Sequence, residues 1–211
     1  LVDTTLLDLA GTMTVNENAS VTDDIRMAAT AVLNIEKTVT NGEVVFDLSN
    51  NLDDGNINAA AKIFMPVNLK DGQNVMLFQE VTDNQAALIV TDIQTVIQDT
   101  VLIDYVPSAV DDDIVITARA KSANTIGSEL GVDVNTAKGF SQAYLAAISD
   151  TNVDDGLENV FKTVLQAGTS KDLAKQIAPQ TDSIGGSTVA MRAMTGTVQG
   201  IVSNRMASLR S

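Results

Sequence analysis

Histidine and cysteine are both absent from this chain of 211 residues. Without them it can build neither a Ser-His-Asp nor a Cys-His nucleophile, none of the usual zinc sites, and no disulfide framework. A chain free of cysteine also suits a protein that crosses a membrane unfolded and must stay free of bridges in an oxidising space. Aromatic residues make up 3% and tryptophan is missing, whereas hydrophobic residues reach 45%. A sizeable core must therefore rest on Val, Ile, Leu and Ala, which suits thin, layered packing better than a bulky globule. No uninterrupted apolar run has the length to span lipid. Bases are scarce as well: 13 against 27 acids, a net charge of −14. That balance argues against nucleic acid or an anionic membrane as partner of the main body. No signal peptide opens the chain, and Leu1 falls inside a strand-like pattern, as expected of a piece of something longer.

What is present divides in three. From Leu1 to about Ala120 the hydrophobic period is two: Leu7 and Leu9, Met13 and Val15, Leu33 and Ile35, Val44, Phe46 and Leu48, Val75 and Leu77, Val101, Ile103 and Tyr105, then Ile114, Ile116 and Ala118. Turn signals punctuate the runs at Asn16-Glu-Asn18, Asn41-Gly42, Asn50-Asn-Leu-Asp-Asp-Gly55, Lys70-Asp-Gly72, Asp83-Asn84 and Asp111-Asp-Asp113. Small aliphatic side chains with Asn, Thr and Asp at the turns predict the end of a parallel β-solenoid (β-helix), whose coils bury their faces by stacking. A terminal coil needs a cap, and Asn74–Gln79 with Ala86–Val90 reads as a hairpin-like one. This first region, 1–120, is read as strands without helices. The fold class is thus mainly β followed by α.

Near Lys121 the alternation stops. Val134, Ala137, Phe140, Tyr144, Ala147 and Ile148 follow helical spacing, Asp154 opens a second helix that ends at Gly168, and Ser170 caps a short third one halted by Pro179. Residues 121–186 form a helical connector. The last stretch, 187–211, carries Met194, Val198, Ile201, Val202, Met206 and Leu209 along one helical face, after the Gly185-Gly186 break and a Ser187 N-cap. As a continuous helix to Arg210 it would be about 36 Å long. Its charges are Arg192, Arg205 and Arg210, with no acid. Those three bases make the stretch +3, and the ten that remain against 27 acids leave −17 upstream. Gly196 and Gly200 sit four apart, each costing roughly 1 kcal/mol relative to alanine in a helix interior. The pattern predicts either an amphipathic helix packed on its own domain or a slim cationic helix threading a narrow polar passage.

This order resembles the junction region of bacterial autotransporters (type V secretion), between a surface passenger and its outer-membrane β-barrel. Lys70-Asp-Gly72-Gln-Asn-Val75-Met-Leu77-Phe78 is similar to the family's glycine-then-strand segment, and Ile114-Val-Ile-Thr-Ala118 to the closing strand of the passenger. Asn135 to Gln180 resembles the helical connector, with the ending Gln176-Ile-Ala-Pro-Gln180. Val198-Gln-Gly-Ile-Val-Ser-Asn-Arg-Met-Ala-Ser-Leu-Arg210 is similar to the segment that occupies the barrel lumen before the first barrel strand. The resemblance implies that Arg192, Gly196, Gly200, Asn204, Arg205 and Arg210 contact the lumen of the chain's own C-terminal barrel. It further implies partnership with the barrel-assembly machinery, export through the periplasm, display at the outer membrane and cell surface, and any host or surface ligand held by the passenger. One branch of the family cuts itself at an Asn-Asn pair in this helix; Ser203-Asn204 stands at the matching place.

Other candidate sites have plainer readings beside them. Asp111-Asp-Asp113 can offer hard oxygens to calcium, but three acids at a turn are more often a solvated loop. Asn50-Asn-Leu-Asp-Asp-Gly-Asn56 lacks the spacing of an EF-hand loop. Ser170-Lys171 is better a helix cap than a nucleophile pair, since neighbours on a helix start point apart. Asn18-Ala-Ser20 matches a glycosylation sequon, a pattern short enough to arise by chance. No pair of acids stands out as a general acid and base. The expectation is therefore a protein that is not an enzyme, without catalytic residues, metal or cofactor. An adhesin or S-layer/filament subunit and a solenoid polysaccharide lyase or hydrolase stand as the alternatives, the last weakened by having five arginines in the chain.

Overall fold

Short runs with one apolar side fold into short strands, and twelve of them build the sheets of the described chain. The computed structural model describes residues 2–4, 7–21, 25–48, 52, 56–66, 68–81 and 85–149. Its strands are β1 (Val2–Thr4), β2 (Leu7–Leu9), β3 (Thr12–Val15), β4 (Ala19–Val21), β5 (Ile25–Met27), β6 (Val32–Ile35), β7 (Glu43–Asp47), β8 (Lys62–Phe64), β9 (Asn74–Gln79), β10 (Ile97–Gln98), β11 (Ile103–Val110) and β12 (Asp113–Ala120). The helices are α1 (Ala86–Val96), α2 (Ala123–Leu130) and α3 (Val134–Ser149). By compactness the chain divides into residues 1–99 with 103–120, and residues 100–102 with the chain from Lys121.

The strands of the first unit form three sheets. A six-stranded sheet runs β1-β4-β7-β9-β12-β11, a four-stranded sheet runs β10-β8-β6-β3, and β2 pairs with β5 alone. Pairing is parallel throughout the two smaller sheets and from β1 to β9 in the largest, then antiparallel from β9 to β12 and from β12 to β11. The β-solenoid (β-helix) end expected from the sequence is therefore corrected: the described residues make three sheets, parallel and mixed, with three helices, and no closed solenoid. Period-two alternation dictates which face of a strand is buried. It does not dictate how sheets close, and turn spacing adds nothing on that point.

The expected cap is corrected too. Asn74–Gln79 is an interior strand, between β7 and β12, and Ala86–Val90 opens helix α1. Five apolar residues in a row cannot be told from a buried strand by period alone. The continuation decides: Ala86, Ile89, Ile93 and Val96 are buried at helical spacing. The helical spacing that starts at Val134 does form a helix, α3, in which Ala137, Phe140 and Tyr144 are buried.

Side chains stack in columns where the registers coincide. Ala19 pairs with Phe46, Phe46 with Phe78 and Phe78 with Ile114, and all four are buried. The Phe46 and Phe78 rings lie 5.5 Å apart, tilted at 41°. Leu33, Ile63 and Ile97 make a second column across the four-stranded sheet. Each fully buried side chain of this kind contributes roughly 1.5–3 kcal/mol of transfer free energy. Two of the signalled turns share one geometry. Glu43 N–H donates to Thr40 O at 3.1 Å and Gln73 N–H to Lys70 O at 2.9 Å, each over a glycine, Gly42 or Gly72, at φ +78°. That left-handed position is what the third residue of a type II turn requires.

The outer edge of the six-stranded sheet is blunted. On β11, Tyr105 and Pro107 pair with Ala118 and Ile116, so both turn their nitrogens away from β12. Pro107 has no N–H to offer there, and the Tyr105 N–H donates to Asp99 Oδ1 at 2.7 Å. An incoming strand would find the donor row interrupted. The Tyr105 hydroxyl in turn donates to Pro66 O at 3.2 Å inside the core.

Two outcomes are expected. Phe46→Ala should cost about 3–5 kcal/mol in a urea titration, while Leu88→Ala, at a position 50% exposed, should stay within about 0.5 kcal/mol. Equal effects would mean that the column carries no special share of the core. Pro107→Val combined with Asp99→Ala should give association that rises with concentration in sedimentation velocity. A double variant as monodisperse as the parent would show that these groups do not guard the edge.

Candidate functional site

Lys37 and Lys121 both bury their side chains, to 6% and 7% exposure, and Lys37 does so among the strands of the first unit. The alternation of β6 carries on past its end, so Ile35, Lys37 and Val39 all face inward. A buried ammonium needs partners. Lys37 Nζ donates to Asn18 Oδ1 and to Glu43 Oε1. Asn18 ends the link between β3 and β4, and Glu43 is the first residue of β7. The other carboxylate oxygen of Glu43 accepts from the Thr40 N–H at 2.7 Å and from its hydroxyl at 3.0 Å. Burial pushes the Glu43 carboxyl up, but the hydrogen bonds from Lys37 and Thr40 and the Lys37 charge outweigh it and hold it below its ordinary range.

Neighbouring links fix the rest of the segment between β6 and β7. Asn68 Nδ2 donates to Val39 O at 2.7 Å and its Oδ1 accepts from Val39 N–H at 3.3 Å. Asn41 Oδ1 accepts from Asn74 N–H, and Gly42 N–H donates to Asn74 O, both at 2.8 Å. The sequence reading missed this cluster. Its signal was a lysine at an inward-facing position of an apolar alternation, Ile35-Glu-Lys37-Thr-Val39.

Residues singled out from the sequence are placed as follows. Arg192, Gly196, Gly200, Asn204, Arg205 and Arg210, the expected lumen contacts, lie outside the described residues, as do Ser170 and Lys171 and the helices expected after Asp154. Asp111 and Asp112 form the exposed turn between β11 and β12. Asp113 Oδ1 accepts from the Glu80 N–H at 3.0 Å, and Glu80 and Asp111 both take positive φ, 55° and 53°. Among the described residues no group of acids is arranged to hold a metal ion. Asn18 of the sequon is exposed as a residue, yet its side-chain oxygen is taken by Lys37. No described helix is long and apolar enough to cross a membrane, which says nothing of a β-barrel.

In the second unit, α2 and α3 are joined by a three-residue turn. Ser122 Oγ accepts from Thr125 N–H at 3.1 Å as N-cap. Gly131, at φ +69°, closes α2, and Val132 N–H returns to Gly127 O at 2.9 Å. Asp133 caps α3, accepting from the N–H groups of Asn135 and Thr136 and from the Thr136 hydroxyl. Helix, glycine-bearing turn and helix is the layout of the helix-turn-helix motif. The charges speak against DNA. From Lys121 to Ser149 there are Lys121, Lys138, Glu129 and Asp133, which cancel, and Lys121 is paired with Glu129 at 2.9 Å. Phosphate binding needs several unspent bases on the face that carries the second helix. The pair is a packing unit, closed over Ile126, Leu130, Ala137 and Phe140.

Compared with known proteins, the chain matches no family model, no curated protein and no solved structure.

The helix pair depends on close approach at Gly127. A Cβ there would stand 2.9 Å from the Val132 carbonyl oxygen and 3.7 Å from the Ala137 Cβ. By helix propensity alone Gly127→Ala should stabilise by about 1 kcal/mol; against a backbone oxygen it should instead destabilise by about 1–3 kcal/mol. Faster hydrogen exchange at the α2 amides would report that loss, and slower exchange would refute the close-packing account.

Proposed function

We propose that this chain is the C-terminal passenger and junction segment of a surface-displayed autotransporter, which promotes folding of the passenger and tethers it through an outer-membrane β-barrel. The observation that carries the reading is the order of parts along the sequence: a β-rich region, then helical spacing, then a slim stretch with no acid and two glycines four apart. The role is structural and transport-related rather than catalytic. The helix from Ser187 to Arg210 occupies the barrel lumen, with Gly196 and Gly200 against the wall, Asn204 in the polar passage, and Arg192, Arg205 and Arg210 facing acidic groups.

Two properties of the described residues support this. The segment likened to the passenger's closing strand, Ile114–Ala118, lies in β12, and β11 beside it has the interrupted donor row. Such an edge suits a protein that folds in a crowd of identical emerging chains, where an open strand would invite lateral pairing. The net charge of −14 acts in the same direction, through mutual repulsion.

Gly196→Leu with Gly200→Leu in the full-length protein tests the reading. In cells the double variant should show reduced surface exposure of the passenger or impaired heat-modifiable folding of the barrel, and charge reversal at Arg205 should do likewise. Normal display with normal barrel folding in the double variant would remove the lumen assignment. The helix would then be a packing element of its own domain.

A further inference from the structure

Three groups that can make an amide bond meet at Lys37. Its side chain is 6% exposed and its amine donates to the side-chain oxygen of Asn18, so the amide carbon lies one bond beyond the contact. The same amine donates to the carboxylate of Glu43, which Thr40 locks in place through its N–H and hydroxyl. Oxygen and nitrogen of the Asn18 amide can exchange places without moving the carbon. Reactants held in this way need no encounter, and effective concentrations for well-oriented intramolecular reactions are about 10⁵ M and above.

We propose that Lys37 and Asn18 condense into an intramolecular isopeptide bond, with Glu43 as the catalytic residue that moves the proton. Glu43 takes a proton from the Lys37 ammonium, and the freed nitrogen lone pair attacks Asn18 Cγ. That proton and a second one lost by the attacking nitrogen pass through Glu43 to the amide nitrogen, the Cγ–Nδ2 bond breaks, and a new Nζ–Cγ amide remains. Lysine ammonium and asparagine amide go in; the secondary amide and one ammonium ion come out. Nothing is oxidised or reduced, and Glu43 ends as the carboxylate it began as. The bond would tie the link between β3 and β4 to the link between β6 and β7, across 19 residues of sequence. Both strand pairs that it brackets, β3 with β6 and β4 with β7, are parallel neighbours. It supplies a covalent staple to a chain that has no cysteine, and it is independent of the tethering role proposed above.

Intact mass spectrometry and a tryptic digest of the whole purified chain test it. The parent protein should be lighter than its sequence by one ammonia. Its digest should join residues 1–26 to residues 27–62, with cleavage lost at Lys37. A succinimide at Asn41-Gly42 loses the same mass but leaves Lys37 cleavable and the two peptides separate, an outcome against the proposal. Lys37→Arg, Asn18→Ala and Glu43→Gln should each have full mass. Asn18→Ala keeps the Lys37–Glu43 pair, so retained β circular dichroism in it separates lost chemistry from lost fold. A folded parent chain of full mass after prolonged incubation overturns the proposal, and a joined peptide in Glu43→Gln overturns the part given to Glu43.

Discussion

Register in the six-stranded sheet is the constraint from which the other features descend. Ala19, Phe46, Phe78 and Ile114 stack across four strands, and a slip of one residue in any of them would turn its buried set outward. The sheet protects this stack even where pairing changes from parallel to antiparallel, for a bulge between Ile114 and Val115 absorbs the mismatch. The column also governs what lies outside it. Asn18 is the residue before Ala19, and Glu43 opens the strand that ends just beyond Phe46. Once those strands are in register, Asn18 and Glu43 both reach Lys37.

The sequence made β2, β3, β6, β7, β9, β11 and β12, several turns and helix α3 legible, because each depends on neighbours within a few residues. Gly42 and Gly72 mark their turns through φ, a property of one residue. Alternation over Val44–Leu48 or Ile114–Ala118 reports a half-buried strand without reference to any partner. What was misread needed information from further away. Sheet closure depends on partner choice among many similar aliphatic strands, so the expected solenoid was an extrapolation. At Ala86–Val90 the local run was ambiguous, and only Ile93 and Val96 resolve it as helix. The short helix α2 was missed although Ser122, Ile126, Leu130 and Gly131 mark it, because eight residues give barely two turns of period. The Lys37 cluster was invisible for a related reason. Its three members become one group only through the β3–β6 and β4–β7 registers.

The distribution of polar groups follows a common logic. The buried lysine side chains are compensated, Lys37 by Asn18 and Glu43 and Lys121 by Glu129. On the outermost strand polar chemistry acts differently, since Asp99 and Pro107 remove donors that would serve a neighbour. Side chains that add nothing to the core thus decide what the sheet refuses to pair with. In a chain of net charge −14, that refusal is reinforced at longer range by repulsion.

This chain has no cysteine with which to form a cross-link. The Lys37 arrangement offers a different chemistry for one. Asn18 and Lys37 are 19 residues apart and Lys37 and Glu43 six apart, so in an extended chain the amine meets the amide no more often than any other pair at that distance. Folding is what sets the geometry, through the register of strands on both sides. The staple would therefore appear only in molecules that have already stacked β4 on β7, without any oxidant, and would hold them there when the chain is pulled. Stability of that kind resides in the unfolding rate rather than in the equilibrium alone.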